Sequence, residues 1–231
     1  MVDGARLASA LGELAVVATQ DFAIDELLEQ LCATASSTLA VDGAGVMSFD
    51  NERSRFVRAD GPPAAMVEQV QEELQGGPCW DAIQSCTPVS AGSGGEMLLR
   101  WPTFGRAARS ARLNSLLVVP LVARGRCWGS LDLYRRVGGG WRAEEVSAAQ
   151  LLADVAASYL VMAADRDDAR SAQHALAEQA LHDQLTGLPN RVLMFELISH
   201  ALAAADRNGT PVGVLFIDLD RFKAVNDTFG H

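Results

Sequence analysis

An α+β fold is predicted by three features of this 231-residue sequence. Two pairs of apolar, strand-like runs are each joined by a short polar turn, amphipathic helical runs flank and separate them, and a long stretch, 143–181, contains neither Gly nor Pro. Strand pairs packed between helices call for one antiparallel sheet with helices laid on it.

Along the chain, Leu7, Leu11, Leu14, Ala15 and Ala18 recur at helical spacing, as do Ile24, Leu27, Leu28, Leu31 and Cys32 in a second run. Asp21 stands where it would cap that second helix. Residues 43–49 and 55–59 around Asp50-Asn51 read as a hairpin, closed by Gly61-Pro62-Pro63 and followed by a helix over 65–74. A Gly/Pro/Ser-rich stretch separates these from a second strand pair, 115–123 and 127–134, around Arg124-Gly125-Arg126. Gly138-Gly139-Gly140 then precedes the helix-favouring segment 143–181. Its Leu152, Val155, Tyr159 and Met162 have a three-four spacing that suits packing on its own domain or a parallel dimer seam equally well.

Composition narrows the function. Nineteen basic residues against twenty-nine acidic ones give a net charge of −10, the wrong sign for a surface that follows a phosphate backbone, so nucleic acid is not an expected partner. Residues 1–17 contain Asp3 and Glu13 and do not read as a signal peptide. The most apolar runs, 116–123 and 151–164, are broken by Pro120 and Asp154, so no membrane span is expected and the chain is placed in the cytoplasm. Cys32, Cys79, Cys86 and Cys127 are then expected as reduced thiols, and without a C-x-x-C pair they do not suggest zinc.

The run Ser115-Leu-Leu-Val-Val-Pro-Leu-Val-Ala-Arg-Gly-Arg-Cys-Trp-Gly-Ser-Leu-Asp-Leu-Tyr134, with a helix on either side, resembles the closing strand pair of GAF domains. The resemblance covers 5–165 and implies a sensory module whose pocket, between sheet and helices, takes a nucleotide, haem, bilin or other small ligand; which one is not fixed by fold. All four histidines (His174, His182, His200, His231) follow residue 165, which excludes an imidazole-ligated haem inside that domain. Cys79, Trp80, Trp101, Phe104 and Trp128 are candidate pocket residues, with ordinary burial in the core as the competing reading. Cys79 and Cys86 are a candidate redox pair.

Residues 182–191, His-Asp-Gln-Leu-Thr-Gly-Leu-Pro-Asn-Arg, form a turn signature. A helix over 192–205, a turn at Asp206-Arg207-Asn208-Gly209 and a buried strand over 212–217 are expected next, the strand running into Asp218-Leu219-Asp220. A carboxylate at a strand end can hold Mg²⁺ together with substrate phosphates, a turn entering a helix offers backbone N–H groups to phosphate, and Lys223, the sole lysine, adds positive charge nearby. As spacing alone the pattern is modest, and Asp218 and Asp220 would serve equally as helix caps. Together with the sequence from Phe216 to His231, however, the turn resembles the beginning of a GGDEF domain, the bacterial diguanylate cyclase family.

That resemblance implies an incomplete palm-type domain, nucleotidyl-cyclase-like and ferredoxin-like, over 182–231, after a signalling helix linker over 166–181. The family joins two GTP molecules into cyclic di-GMP with Mg²⁺ across a dimer. By position, Asp218 through its carboxylate and Leu219 through its carbonyl would hold the metal, Phe222 and Lys223 would lie along the triphosphate, and Asn226 would bond guanine. A homodimer through 143–181 would bring two such domains together. The Gly-Gly-Asp/Glu-Glu-Phe loop, with its catalytic acid, is not in the sequence, so these residues alone are expected to be inactive. The chain stops in mid-motif, as a fragment of a longer parent would. The competing reading is a non-catalytic binding module with a degenerate GGDEF portion.

Overall fold

The structure is a computed structural model that describes residues 4–17, 24–50, 52–218, 220–221, 223 and 227. It divides into two units, 1–167 and 168–231. In the first unit a five-stranded antiparallel sheet is formed by β1 (Gly43–Asp50), β2 (Arg53–Asp60), β3 (Val89–Ala91), β4 (Ser115–Ala123) and β5 (Arg126–Arg135), in the order β2-β1-β5-β4-β3. Both expected hairpins form. Arg124 and Gly125 turn the second with φ of 52° and 73°, the positive angles that a tight hairpin turn needs.

The period-two alternation of the strands sorts their side chains between two cores. Ala44, Val46, Leu117, Val119, Leu121, Leu131 and Leu133 face one side, against α1 (Gly4–Val17), α2 (Ile24–Leu39) and α7 (Ala143–Leu181). Met47, Leu116, Val118 and Tyr134 face the other. That side is covered by α3 (Pro62–Leu74), α4 (Pro78–Ser85), α5 (Gly94–Arg100) and α6 (Pro102–Ser110). The short α4, α5 and α6 and the edge strand β3 occupy the stretch read from sequence as a Gly/Pro/Ser-rich connection. Pro78 and Pro102 start two of these helices at a position where the missing N–H costs nothing. The capping role read for Asp21 lies outside the described residues.

Of the residues proposed as a seam on α7, Leu152 and Tyr159 are buried and Val155 packs beside them, all against the first unit's own sheet, while Met162 is exposed. By length and composition alone α7 could cross a membrane, a test that a buried core helix also passes. Its apolar side is nevertheless used: Ala149, Leu152, Ala153, Ala156 and Ala157 lie in the core. Two ion-pair clusters fix this part of the helix. Arg124 donates two hydrogen bonds to the Asp165 carboxylate (2.7 and 2.6 Å). Arg135, stacked on Trp141 at 3.8 Å, bonds Glu145 at 2.9 Å.

The second unit, taken by itself, contains the C-terminal turns of α7, a tight turn and α8 (Arg191–Asn208). Residues 212–217 do not form the buried strand expected from their apolar sequence. They pair with no other described residue, and Leu215, Phe216 and Ile217 are 83, 87 and 82 % exposed. A strand is stabilised by a ladder partner and a covered face, and no described segment of this unit supplies either, so no palm sheet is formed among the described residues.

Candidate functional site

Three places carry chemistry. The first is a buried polar cluster on the sheet face beneath α3. Glu68 and Gln71, one helical turn apart on α3, point at Asp132 and Tyr134, which alternate with Leu131 and Leu133 on β5. All four are fully buried. The Gln71 amide donates to Asp132 Oδ2 (2.8 Å) and Glu68 Oε2 (3.0 Å), the Tyr134 hydroxyl donates to Glu68 Oε1 (2.9 Å), and Gln71 Oε1 accepts from the Cys79 backbone N–H (2.8 Å). Gly45 makes room for the Glu68 head, because a Cβ there would fall 2.1 Å from Oε1.

Two acids in one dry site cannot both ionise cheaply. Burial first, and then the Asp132 charge, holds Glu68 well above the ordinary carboxyl range. Burial raises Asp132 to about 6, with the donors around it offsetting part of the effect. At neutral pH the pair therefore retains one proton, mainly on Glu68. Burial likewise pushes up the Cys79 thiol and the Tyr134 phenol, with the two acids adding to both.

The second place is a cavity of about 270 Å³ between the end of α3 and the start of α6. It gathers two of the five predicted pocket residues, Trp101 and Phe104, edge to face at 6.4 Å, with the Arg100 guanidinium 4.1 Å from the Trp101 ring. Trp101 donates to Asp81 at 2.9 Å. Cys79 is buried in the adjacent core, and Trp80 is partly exposed and meets Phe49 edge-on at 5.8 Å. Trp128 packs on the opposite side of the sheet, against the α2–α7 core, its N–H on the Ala123 carbonyl at 3.1 Å, so it does not join the other four. Cys79 and Cys86 do not meet as a redox pair either. They lie at opposite ends of α4, roughly 10 Å apart at 1.5 Å per residue.

The third place is the turn between α7 and α8. The Asp183 carboxylate accepts from Leu185 N, Thr186 N and the Thr186 hydroxyl (3.2, 3.0 and 2.8 Å), which holds it below the usual carboxylate range, the hydroxyl contributing most. Gly187 supplies a φ of 68°. Asn190 is bonded twice over: its amide donates to the Ala180 carbonyl (2.7 Å), and its Oδ1 caps α8 through Val192 N and Leu193 N (2.9 and 3.2 Å). Asn190→Ala is expected to cost about 1 kcal/mol of local stability, seen as fraying of α8 by amide exchange without change in the first unit.

Asp218 and Lys223 are exposed, while Leu219, Phe222 and Asn226 lie outside the described residues. Among the described residues no group of three His, Cys, Asp or Glu side chains is arranged to hold a metal. An exposed carboxylate such as Asp218 still suits Mg²⁺, which takes one or two carboxylates and completes its shell with water and phosphate. Sequence reading missed the Glu68–Gln71–Asp132–Tyr134 cluster. Its trace was an Asp set inside an otherwise apolar strand, facing the same side as Tyr134.

A family model for the GAF domain matches residues 23–160, and one described as "Diguanylate cyclase, GGDEF domain" matches 180–231. Diguanylate cyclase DgcP of Escherichia coli is 34 % identical over 126 residues, which is 54 % of this chain and 37 % of DgcP. The bifunctional diguanylate cyclase/cyclic di-GMP phosphodiesterase MucR of Pseudomonas aeruginosa is 40 % identical over 107 residues, 42 % of this chain and 16 % of MucR. The chain thus spans well under half the length of these curated relatives. Among solved structures, the GAF domain of a phosphoenolpyruvate-protein phosphotransferase from Coxiella burnetii superposes with a TM-score of 0.55 at 12 % identity, covering 71 % of this chain and 97 % of that one. Free methionine-R-sulfoxide reductase from Neisseria meningitidis gives 0.51 at 17 % identity, covering 67 % and 87 %. At such identities the likeness is one of fold. The chain belongs to the GAF family, and its GAF domain is followed by a GGDEF segment.

Proposed function

We propose that the chain serves a GAF-regulated diguanylate cyclase that makes cyclic di-GMP from two GTP. The GAF domain, 5–165, senses a small ligand or redox state, the linker over 166–181 transmits it, and the GGDEF portion over 182–231 contributes to the GTP site. The observation that carries this reading is the order of the two matched domains along one chain, joined by an unbroken helix. β5 supports it, because the strand that carries Asp132 and Tyr134 ends at Arg135, whose guanidinium grips Glu145 in the first turn of α7. A change on the ligand face therefore reaches the linker through one strand. The exposed continuation of α7 beyond Met162 is the dimerising part in this reading.

In the cyclase, Asp218 and the Leu219 carbonyl hold Mg²⁺, Phe222 and Lys223 lie along the triphosphate, and Asn226 bonds guanine. Bound Mg²⁺ would neutralise phosphate charge during transfer. The residues of this chain bind and orient GTP, Lys223 adding positive charge and Asn226 supplying an amide donor and acceptor to the base. A cytoplasmic location accords with GTP as substrate.

The test is to read the gene past the codon for His231 and assay the complete product for cyclic di-GMP from GTP and Mg²⁺. Activity that falls at least about a hundredfold in Asp218→Ala is expected, and these 231 residues alone should give none. A stop codon directly after His231, or a complete protein without product, would favour the non-catalytic binding module. That second reading has an observation of its own: the cyclic di-GMP phosphodiesterase PdeR of Escherichia coli is 51 % identical over 67 residues, 29 % of this chain and 10 % of PdeR. Resemblance to this chain is therefore shared by proteins named for opposite reactions.

A further inference from the structure

Cys86 and Cys127 come from different elements and meet at one cavity of about 440 Å³, which Phe49, Asp50, Ile83 and Arg126 also line. Cys86 is exposed at the C-terminal cap of α4, in a left-handed backbone conformation (φ 49°) that non-glycine residues seldom adopt, its thiol 3.6 Å from the Ile83 carbonyl. Cys127 is half-buried near the start of β5 and donates to the Gly129 carbonyl at 3.2 Å. The Cys127 thiol sits above the ordinary thiol range, chiefly through burial, and the Cys86 thiol beside it adds to the shift. Arg126, which also lines the cavity, has its guanidinium stacked on Trp128 at 3.8 Å and 3.9 Å from the Asp50 carboxylate. Cys32 and Cys79 are fully buried in the two cores.

We propose that Cys86 and Cys127 form a peroxide-responsive dithiol–disulfide switch at the mouth of this cavity. Its exposure makes Cys86 the attacking thiol, and the half-buried Cys127 resolves it. The Cys86 thiolate attacks a hydroperoxide oxygen; the S–O bond forms, the O–O bond breaks, and the other oxygen leaves as hydroxide, which takes up a proton. The Cys127 thiolate then attacks the sulfenic sulfur, the S–S bond forms, and the sulfenic oxygen leaves as water. Two thiols lose two electrons, and hydrogen peroxide is reduced to two waters. Two thiolates do not make a structural zinc site without further ligands, and no three-ligand group exists among the described residues, so the pair is redox chemistry rather than metal binding. The new bond would tie the end of α4 to β5, the strand that runs through Asp132 to the α7 clamp. This deepens the sensory reading of the GAF domain, yet the bond is read directly on the chain and does not depend on cyclase activity.

The experiment treats the reduced 231-residue chain with a small molar excess of hydrogen peroxide, counts free thiols and maps the link. The count should fall from four to two. After digestion with trypsin and a protease that cuts before Asp81, the Cys86 peptide should be joined to the Cys127 peptide within one chain. Cys79→Ser should behave as the parent does, and Cys127→Ser should stop at a sulfenic acid on Cys86 that dimedone captures. A Cys79–Cys86 link, a link only between chains, or oxidation of Cys86 beyond sulfenic acid with Cys127 still free would overturn the proposal. The mapping on the unsubstituted chain decides the matter even if a variant fails to fold.

Discussion

Gly129→Ala is expected to unfold the first unit or to leave it barely folded, with a loss of about 4 kcal/mol or more. Gly129 sits where β5 crosses β1, opposite Ser48, with a φ of 155°. A Cβ there would fall 1.9 Å from the Met47 carbonyl oxygen and 3.0 Å from the Ser48 Cα. These are backbone atoms of the central strand pair, so relief requires β1 and β5 to separate. That separation would take away the central hydrogen bonds of the sheet and shift the residues on both faces. Strain at a positive φ costs on the order of 1–3 kcal/mol, overpacking a similar amount again, and a domain of this kind has only about 5–15 kcal/mol in all. Urea unfolding followed by far-ultraviolet circular dichroism would measure the loss. A variant with an unchanged midpoint would mean that β1 and β5 are not held at this separation. Gly125→Ala is the control, because nothing lies within 4 Å of a Cβ there, and it should cost only the strain of its φ of 73°.

The position of Gly129 illustrates what the sequence could and could not disclose. The hairpins were legible because alternation fixes which residues of β4 and β5 face each core. The turn at 182–191 was legible because Asp, Gly, Pro and Asn act locally, each within a few residues of its partner. The helices α4, α5 and α6 were not. At seven to nine residues they are too short for a helical period to stand out against their Gly and Pro content. The cluster of Glu68, Gln71, Asp132 and Tyr134 was hidden for another reason. Its halves lie more than sixty residues apart, and acids on an amphipathic helix ordinarily mark its wet face. Separation along the chain likewise conceals the meeting of Cys86 with Cys127, whereas Cys79 and Cys86, near in sequence, are kept apart by the helix between them. The apolar run 212–217 is the converse case: its pattern is that of a buried strand, but pattern supplies no ladder partner.

Raising the pH should destabilise the first unit, and Glu68→Gln should remove the part of that dependence that lies above about pH 6, leaving the part that burial of Asp132 causes below it. Both acids of the pair have folded-state values above their unfolded ones: Asp132 at about 6 against 3.8, and Glu68 well above 4.5. Between those values the folded chain binds more protons than the unfolded chain, so stability falls as pH rises. The contribution is fully present below about pH 4, and that of Asp132 is lost by a little above pH 6. At about 1.4 kcal/mol per pH unit, the Asp132 shift alone corresponds to roughly 3 kcal/mol across that window, and Glu68 extends the decline to higher pH. Glu145 works in the opposite sense. Burial raises it, but the Arg142 backbone N–H and the guanidinium groups of Arg142 and Arg135 outweigh this and bring it down to about 2. Its contribution is present above pH 4.5 and is lost as the pH falls toward 2, so the low-pH gain from the buried pair is cut off on the acid side. A Gln at position 68 can still accept from Tyr134 through its one oxygen, while its NH2 group replaces the oxygen that accepts from Gln71 and can donate to Asp132 instead, and it leaves Asp132 without an acidic neighbour. Glu68→Gln should therefore resemble the parent near pH 5 and be the more stable of the two at pH 8, with a flatter profile between. Thermal or urea unfolding of both proteins at half-unit steps from pH 4 to 8.5 would show it. Parallel profiles would place the retained proton elsewhere than on the Glu68–Asp132 pair.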